Sequence, residues 1–398
     1  MERAQRFADL VVRAGVNVQP GQQVVVVADA AHLEIARAVV ESAYAAGAAW
    51  VETIFSDGPI RRSAVDHAAV EQLTASRPWA LEQIRGWADA RAALIMLGGD
   101  PYPHVMNGAD PVRAASIRAA ETVAIREAML SGRTRWTGVA VPNPGWATQI
   151  FGEPDLDRLW AAVGTAMRLD EDDPVARWRD RSATLAARAT ALDALELTEV
   201  RYLGEGTDLT VGLIPGCRWA GGGMADPDGV GYLPNIPTEE VFTSPDKRRA
   251  DGVIRLTKPL ALAGRLVTGL RVEFKDGRIT AVSAEANADA VLAQLEADGA
   301  RHLGEVSLVD RDSRIAKAGI VFHNTLFDEN AGCHVAWGQS FPFAVAGAAE
   351  MTPEQRAELG LNVSAVHTDV VIGGEGITVT GRGPLGTVDI IRDDEWVL

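Results

Sequence analysis

The stretch PGQQVVVVADAAHLEIARAVVESAYAAGAAWVETIF, residues 20–55, determines the fold of the N-terminal half of this chain. Val24 to Val27 form a continuous β-branched run after a proline-glycine turn, which is typical of a strand buried on both faces. Helical spacing of apolar residues follows from about His32 to Ala46, and Ala49 to Phe55 is a second strand. A strand, a helix and a strand in this order predict a parallel strand pair with the helix on one face.

Two further strands and another helix extend this alternation. Ala92–Leu97 and Thr137–Val141 are apolar enough to be the strands. Between them, Asp110-Pro111 provides an N-cap and a first-turn proline for a helix that runs to about Leu130. Strands separated by helices predict an α/β N-terminal domain with a largely parallel sheet.

Short strands and turns replace this alternation in the second half of the chain. We place the domain boundary near residue 190, where a helical pattern ends, which gives domains of residues 1–190 and 191–398. Asp276-Gly277 lies between two alternating segments and predicts a hairpin. Asn287 is placed to be the N-cap of one helix. We therefore predict an α+β C-terminal domain rich in antiparallel strands.

Composition restricts the classes of function. The chain has 398 residues, with 38 Lys and Arg against 54 Asp and Glu, and a formal net charge of -16. Such a balance argues against a nucleic-acid partner, which needs a basic surface. The two cysteines, Cys217 and Cys333, are too few for a disulfide framework and fit a reducing cytoplasm. No apolar run reaches about 18 residues, so no membrane span is predicted.

Carboxylates and imidazoles lie in apolar, strand-like surroundings of the second half. In a strand, residues two apart share a face, so His367 and Asp369 of H-T-D would converge. Glu305 is flanked by apolar residues, where a lone carboxylate is costly unless it is paired. Glu239 and Glu240 are adjacent in T-E-E-V-F, so only one of them can enter a given site.

Each of these residues alone also has a structural interpretation. An H-x-D triplet fits a core histidine paired with an acid, and His334 fits a packing role. Taken together, carboxylate and imidazole ligands suit a divalent cation, and even two. The sequence has no G-x-S-x-G and no H-E-x-x-H, which removes support for a serine nucleophile and for a zincin-type protease.

Long motifs in a fixed order resemble one family over nearly the whole chain. They are R-A-G-V-N-V-Q-P-G near the start, P-N-P-G-W-A at residues 142–147, G-T-D-L-T-V-G-L at 206–213, N-I-P-T-E-E-V-F-T-S-P at 235–245 and L-F-D-E-N-A-G-C-H-V-A-W-G-Q at 326–339. The chain is similar in these motifs to the dinuclear metalloaminopeptidases that include aminopeptidase T, aminopeptidase S and PepS.

The resemblance implies a cytoplasmic, homodimeric metalloaminopeptidase that hydrolyses the N-terminal residue of peptides. Two divalent ions, zinc, cobalt or manganese, would bridge a water molecule that attacks the scissile carbonyl. Glu239 or Glu305 would carry a proton to the leaving amine. The implied metal ligands are Glu240, Glu305, His334, His367 and Asp369.

The chain departs from the family at one position of the site. The family has a tyrosine seven residues after the first histidine, and this chain has Phe341 there, in G-Q-S-F. A phenyl ring neither coordinates a metal nor donates a hydrogen bond. Ser340 or a water could substitute. The alternatives are a metal-bound peptide-binding or weakly active homologue, and an amide hydrolase of specialised metabolism, so the partner is a peptide or a small amide.

Overall fold

The computed structural model of the protein describes residues 2–117, 119–130, 132–262, 265–374 and 376–398. The chain divides into two compact units, Met1–Asp180 with Gly223–Pro237, and Arg181–Gly222 with Thr238–Leu398. The domain boundary near residue 190 stays a prediction. The segment Gly223–Pro237 lies in the second half of the sequence and belongs to the first unit.

Four parallel strands form the sheet of the first unit, namely β1 (Gln23–Asp29), β2 (Trp50–Ser56), β3 (Ala93–Gly98) and β4 (Trp136–Ala140). Their order in the sheet is β2-β1-β3-β4, and all neighbouring pairs are parallel. Val24, Val25 and Val26 of the central strand β1 are buried, as a strand covered on both faces requires. The predicted α/β fold with a parallel sheet is confirmed.

Helices cover the sheet and also occur in the second unit. In chain order they are α1 (Glu2–Leu10), α2 (Leu33–Ala45), α3 (Gly58–His67), α4 (Val70–Thr74), α5 (Pro78–Asp89), α6 (Pro111–Ser116), α7 (Ala119–Leu130), α8 (Pro144–Phe151), α9 (Leu156–Ala166), α10 (Pro174–Ala194), α11 (Ala288–Gln294), α12 (Arg314–Ala318), α13 (Thr325–Asp328) and α14 (Pro353–Leu359). None of the helices formed by the described residues is long and apolar enough to cross a membrane.

The prediction of a single helix from Asp110 to Leu130 is wrong, because the chain forms two helices there. The Asp110 carboxylate caps α6 as expected, because it accepts the backbone N–H groups of Val112 and Arg113. Helix α6 ends at Ser116, since Ile117 has an extended conformation with ψ near 120°. A separate helix, α7, then follows.

Short strands dominate the second half, as predicted. They are β5 (Glu199–Gly204), β6 (Thr207–Leu213), β7 (Ala220–Gly221), β8 (Met224–Ala225), β9 (Gly231–Tyr232), β10 (Val241–Thr243), β11 (Pro245–Arg255), β12 (Leu260–Leu262), β13 (Arg265–Val267), β14 (Arg271–Lys275), β15 (Arg278–Ser283), β16 (Leu303–Leu308), β17 (His334–Gly338), β18 (His367–Val371), β19 (Thr378–Gly383), β20 (Gly386–Arg392) and β21 (Glu395–Trp396).

Among its described residues, the second unit contains two large antiparallel sheets and the two-stranded antiparallel sheet β12-β13. The larger has the order β15-β14-β11-β6-β5-β19-β20-β21, and the smaller has the order β18-β17-β16-β10-β7. One face of the smaller sheet presents Val241, Val306, Val335 and Val370 to a core that also contains Leu185 of α10. Because side chains alternate between the two faces along a strand, the residues directly before and after each of these valines lie on the opposite face.

Two local predictions for the second unit had different outcomes. Asp276 and Gly277 have positive φ angles of 49° and 76° and form the turn that connects β14 to its antiparallel partner β15. The predicted hairpin is therefore confirmed. Asn287 precedes α11, but its side chain makes no capping hydrogen bond. That side chain donates to the Leu266 carbonyl and accepts from Arg265 instead, so the predicted capping contact is wrong.

Candidate metal centre

Four of the five predicted ligands project from one face of the five-stranded sheet. Glu305 on β16 and Asp369 on β18 both lie opposite Ala336 of the intervening strand β17. His334 precedes Ala336 by two residues and His367 precedes Asp369 by two, so both imidazoles share that face. Ala336 lies between the two carboxylates in this register and carries only a methyl group.

Glu240 reaches the same face from the position directly before the next strand, β10. Phe242 pairs with Ser307, which itself pairs with His334. The side chains of this row therefore lie on the face of the sheet that carries the predicted ligands, which we call the ligand face. Glu240 is two residues before Phe242 and points the same way. The Ser307 hydroxyl donates to Glu240 Oε2 at 2.6 Å, and the same oxygen lies 3.1 Å from His334 Nε2.

The five side chains form two groups that share Glu305. In the first group, ligand atoms of Glu240, Glu305 and His334 lie within 4.8 Å of one another, and the same limit holds for Glu305, His367 and Asp369 in the second. Glu305 Oε1 is 3.9 Å from His334 Nε2, whereas its Oε2 is 3.1 Å from His367 Nε2. The carboxylate of Glu305 therefore presents one oxygen to each group.

Backbone carbonyls orient both imidazoles. With a proton on Nδ1, His334 donates to the Gly332 carbonyl at 3.3 Å, and His367 donates to the Gln339 carbonyl at 2.7 Å. This leaves Nε2 of each ring facing the carboxylates, and His367 Nε2 is also 3.2 Å from Asp369 Oδ1. An imidazole held this way is prepared to bind a metal through Nε2.

Burial and mutual charge shift the pKa values of Glu305, His334 and His367. Burial raises the pKa of Glu305 to about 7, and the neighbouring charges of Glu240 and Asp369 add to that rise. Burial also lowers the pKa of His334, but hydrogen bonding and attraction to Glu240 dominate and raise it to about 10. The pKa of His367 likewise lies well above its ordinary value, since Asp369 and Glu305 outweigh burial.

The donor set fits divalent cations. Three carboxylates and two imidazoles converge in a place where Glu305 and His334 are only 3% and 1% exposed. With neutral imidazoles, such a cluster carries a surplus of buried negative charge, which is costly unless cations neutralise it. Carboxylate oxygens and imidazole nitrogens are ligands that zinc, cobalt and manganese all accept.

Glu239 lies on the other side of the strand, as the alternation of adjacent residues requires. Its carboxylate is fully buried, with Oε2 2.6 Å from Nε of Arg181 on α10. Arg181 also lies 3.7 Å from Asp310, and Asp310 pairs in turn with Arg188. The Glu239 backbone N–H donates to the Asn330 side chain at 2.6 Å. The structure thus places Glu240 among the predicted ligands and Glu239 in a buried ion-pair network.

Sequence reasoning missed several polar residues near the centre. Ser307 could have been found, because it lies two residues after Glu305 in the same strand and shares its face. Arg181 and Asn330 carry no local signal, since their contacts form only in the folded chain. Glu329 is a further acid near the centre, and burial, followed by repulsion from Asp369 and Glu240, raises its pKa well above the ordinary value.

Phe341, at the position where the resemblance implies a tyrosine, lies beside the second group. Its ring centroid is 5.1 Å from that of His367, and the two ring planes are inclined by 55°. The Phe341 backbone N–H donates to Ser244 Oγ at 2.8 Å. Ser340 is buried, and its hydroxyl oxygen accepts the Asn362 backbone N–H at 2.9 Å. The ring is therefore held against a predicted ligand and has no hydroxyl to donate a hydrogen bond there.

Five convergent donors on one face of the sheet define a candidate metal centre. Comparisons with known proteins agree. A sequence profile of the thermophilic metalloprotease (M29) family matches residues 1–396, and the chain belongs to this family. The assignment confirms the resemblance drawn from the motifs, and with it the prediction of a peptide hydrolase.

Individual relatives cover almost the full chain. Aminopeptidase T of Thermus aquaticus is 37% identical over 100% of this chain and 99% of its own length. Aminopeptidase PepS of Streptococcus thermophilus is 36% identical over 100% of this chain and 98% of its own. The structure of wild-type AmpT from Thermus thermophilus is similar with a TM-score of 0.91, at 35% identity, covering 100% of this chain and 99% of that one.

Proposed function

We propose that this protein is a metal-dependent aminopeptidase that removes the N-terminal residue of peptides. The observation that carries the proposal is the Glu305 carboxylate, which directs one oxygen toward His334 and the other toward His367. A carboxylate in this position can join two cations in one site, as hydrolases with two metal ions require. The relatives named as aminopeptidases support the peptide as substrate.

Two divalent ions, zinc, cobalt or manganese, are the proposed cofactors. Glu240 and His334 would hold one, His367 and Asp369 would hold the other, and Glu305 would contact both. When bound, such ions polarise a scissile carbonyl and lower the pKa of water toward neutrality.

The protein side chains would then position the substrate and move one proton. The leaving amine must gain that proton, and Glu305, on the ligand face where the substrate would bind, would deliver it through an oxygen released from one of the cations. The Glu239 carboxylate lies 2.6 Å from the Arg181 guanidinium. We therefore propose that Glu239 positions Glu240 rather than transferring a proton. A peptide substrate, a homodimer and a cytoplasmic location complete the proposal.

Removal of metal is expected to abolish peptide hydrolysis. Exhaustive chelation should eliminate release of the N-terminal residue, and added zinc, cobalt or manganese should restore it. Because the cations bind the folded chain, their removal should also lower the temperature of thermal unfolding. Metal quantification on the reconstituted protein should give two ions per chain. Full activity after verified removal of metal would exclude this mechanism.

The second candidate function is a metal-bound peptide-binding protein or a weakly active homologue. Phe341 favours it, because its ring faces His367 where a hydroxyl could have donated to the substrate. Ser340, one residue away, already binds Asn362. Hydrolysis of a small amide other than a peptide is the third candidate, and the same loss of a donor motivates it.

Phe341→Tyr is expected to raise turnover of aminoacyl-p-nitroanilides. Loss of one donor to a reacting oxygen typically costs about 10²–10³ in rate, so restoring it should recover part of that factor. Phe341→Leu also changes the ring packing but adds no donor, and it should not raise turnover. The two variants should be compared at equal metal content. A Phe341→Tyr variant no faster than wild type would show that the hydroxyl is not the missing element.

A further inference from the structure

Three phenylalanine rings form an aromatic cluster next to the candidate metal centre. The centroids of Phe242 and Phe341 are 5.4 Å apart with planes inclined by 66°, and Phe341 stacks on Phe343 at 5.4 Å and 29°. Phe242 and Phe343 are 6.2 Å apart at 83°. All three separations fall within the range of favourable aromatic pairs. The rings therefore form one continuous apolar surface.

This surface is continuous with the ligand face and is accessible. Phe242 follows Glu240 by two residues on the same face of the sheet, and the ring of Phe341 lies against His367. The His367 side chain is 27% exposed, whereas that of His334 is 1% exposed, so the centre is most open on the side of the rings. Phe343 itself is 38% exposed.

The loop that carries Phe343 is fixed on both sides. Before it, Phe341 donates its backbone N–H to Ser244. After it, the Ala344 carbonyl accepts the Arg218 backbone N–H at 2.7 Å, and Val345 packs in a small buried cluster with Ile214. An exposed aromatic ring on an anchored loop has little conformational freedom to lose when a ligand covers it.

We propose that Phe242, Phe341 and Phe343 receive the side chain of the substrate's N-terminal residue and select large apolar residues. This proposal rests on the proposed aminopeptidase function. The α-amine and scissile carbonyl must lie at the ligand cluster, so the first side chain must lie against an adjacent surface. The aromatic surface is adjacent to His367, and covering it with leucine or phenylalanine removes apolar area from water.

Substrate series on the metal-loaded protein test the selection. Leucyl- and phenylalanyl-p-nitroanilide should be cleaved with kcat/KM about tenfold or more above alanyl- and lysyl-p-nitroanilide, since even one buried methylene contributes about tenfold or more to discrimination. Phe343→Ala should lower the leucine-to-alanine ratio about tenfold, and Phe343→Leu should lower it less. The matched control is Leu385→Ala, which truncates a side chain that is 80% exposed on the β19–β20 turn and should leave the ratio unchanged.

Binding of amino-acid hydroxamates keeps this test separate from catalysis. Calorimetry should show leucine hydroxamate binding the metal-loaded protein more tightly than glycine hydroxamate, and Phe343→Ala should reduce that difference. No turnover of any substrate would reject the proposed function, while the hydroxamate preference would still decide the role of the rings. Equal affinities for the two hydroxamates, or a leucine-to-alanine kcat/KM ratio unaffected by Phe343→Ala, would overturn the inference. An unaffected ratio with an altered oligomeric mass would instead assign Phe343 to an interface between copies.

Discussion

Glu305→Ala is expected to abolish hydrolysis of the N-terminal residue. One side chain is removed from both ligand groups at once, because Oε1 faces His334 and Oε2 faces His367. The fall in kcat/KM should exceed the roughly 10²–10³ that follows loss of a single donor to a reacting oxygen. The purified variant should also bind fewer than two ions per chain. Steady-state kinetics and metal quantification measure the two effects.

Thermal unfolding of metal-free Glu305→Ala distinguishes loss of the metal site from loss of the fold. In Glu305→Ala each imidazole keeps a carboxylate partner, since His334 lies 3.1 Å from Glu240 and His367 lies 3.2 Å from Asp369. The chelated variant should therefore unfold cooperatively at a temperature similar to that of chelated wild type. Glu305→Gln retains the shape but loses one ligand oxygen, and it should be intermediate in metal content. Wild-type activity and metal content in Glu305→Ala would contradict the shared-ligand arrangement.

Much of the fold could be predicted because its signals are local. The valine run that became β1 and the Asp276-Gly277 turn each depend on residues close in sequence. The helix after Asp110 illustrates the limit, because propensity predicted one helix where the chain forms α6 and α7. Asn287 shows the same limit, since Arg265 and the Leu266 carbonyl compete successfully for its side chain.

The candidate site divides in the same way. Alternation along a strand predicted that His367 and Asp369 converge and that only one of Glu239 and Glu240 enters the site. The sequence could not show which strands are neighbours, and the common face of β16, β17 and β18 depends on that pairing. It also could not indicate Arg181, because that residue is 58 positions from Glu239 in sequence and lies in a helix with other arginines.

Arg181→Met should destabilise the fold and weaken metal binding together. The substitution leaves the Glu239 carboxylate, which is fully buried, without the charge that lies 2.6 Å away. Breaking a buried pair in this way typically costs about 3–5 kcal/mol. Glu239 is covalently next to Glu240, so its displacement should move a ligand, and changes in such supporting contacts typically cost about 10–100-fold in metal affinity. Denaturant unfolding and metal titration measure the two effects.

Further variants distinguish the charge of Arg181 from its bulk. Arg181→Lys keeps the charge and should recover part of the stability, whereas Arg179→Met on the exposed side of α10 should change it by no more than about 0.5 kcal/mol. Adding Glu239→Gln to Arg181→Met removes the buried negative charge that Arg181 faced and should restore stability further. If metal affinity stays low in this double variant, the ion pair positions Glu240. If metal affinity matches wild type in Arg181→Met despite the lost stability, the network supports only the fold.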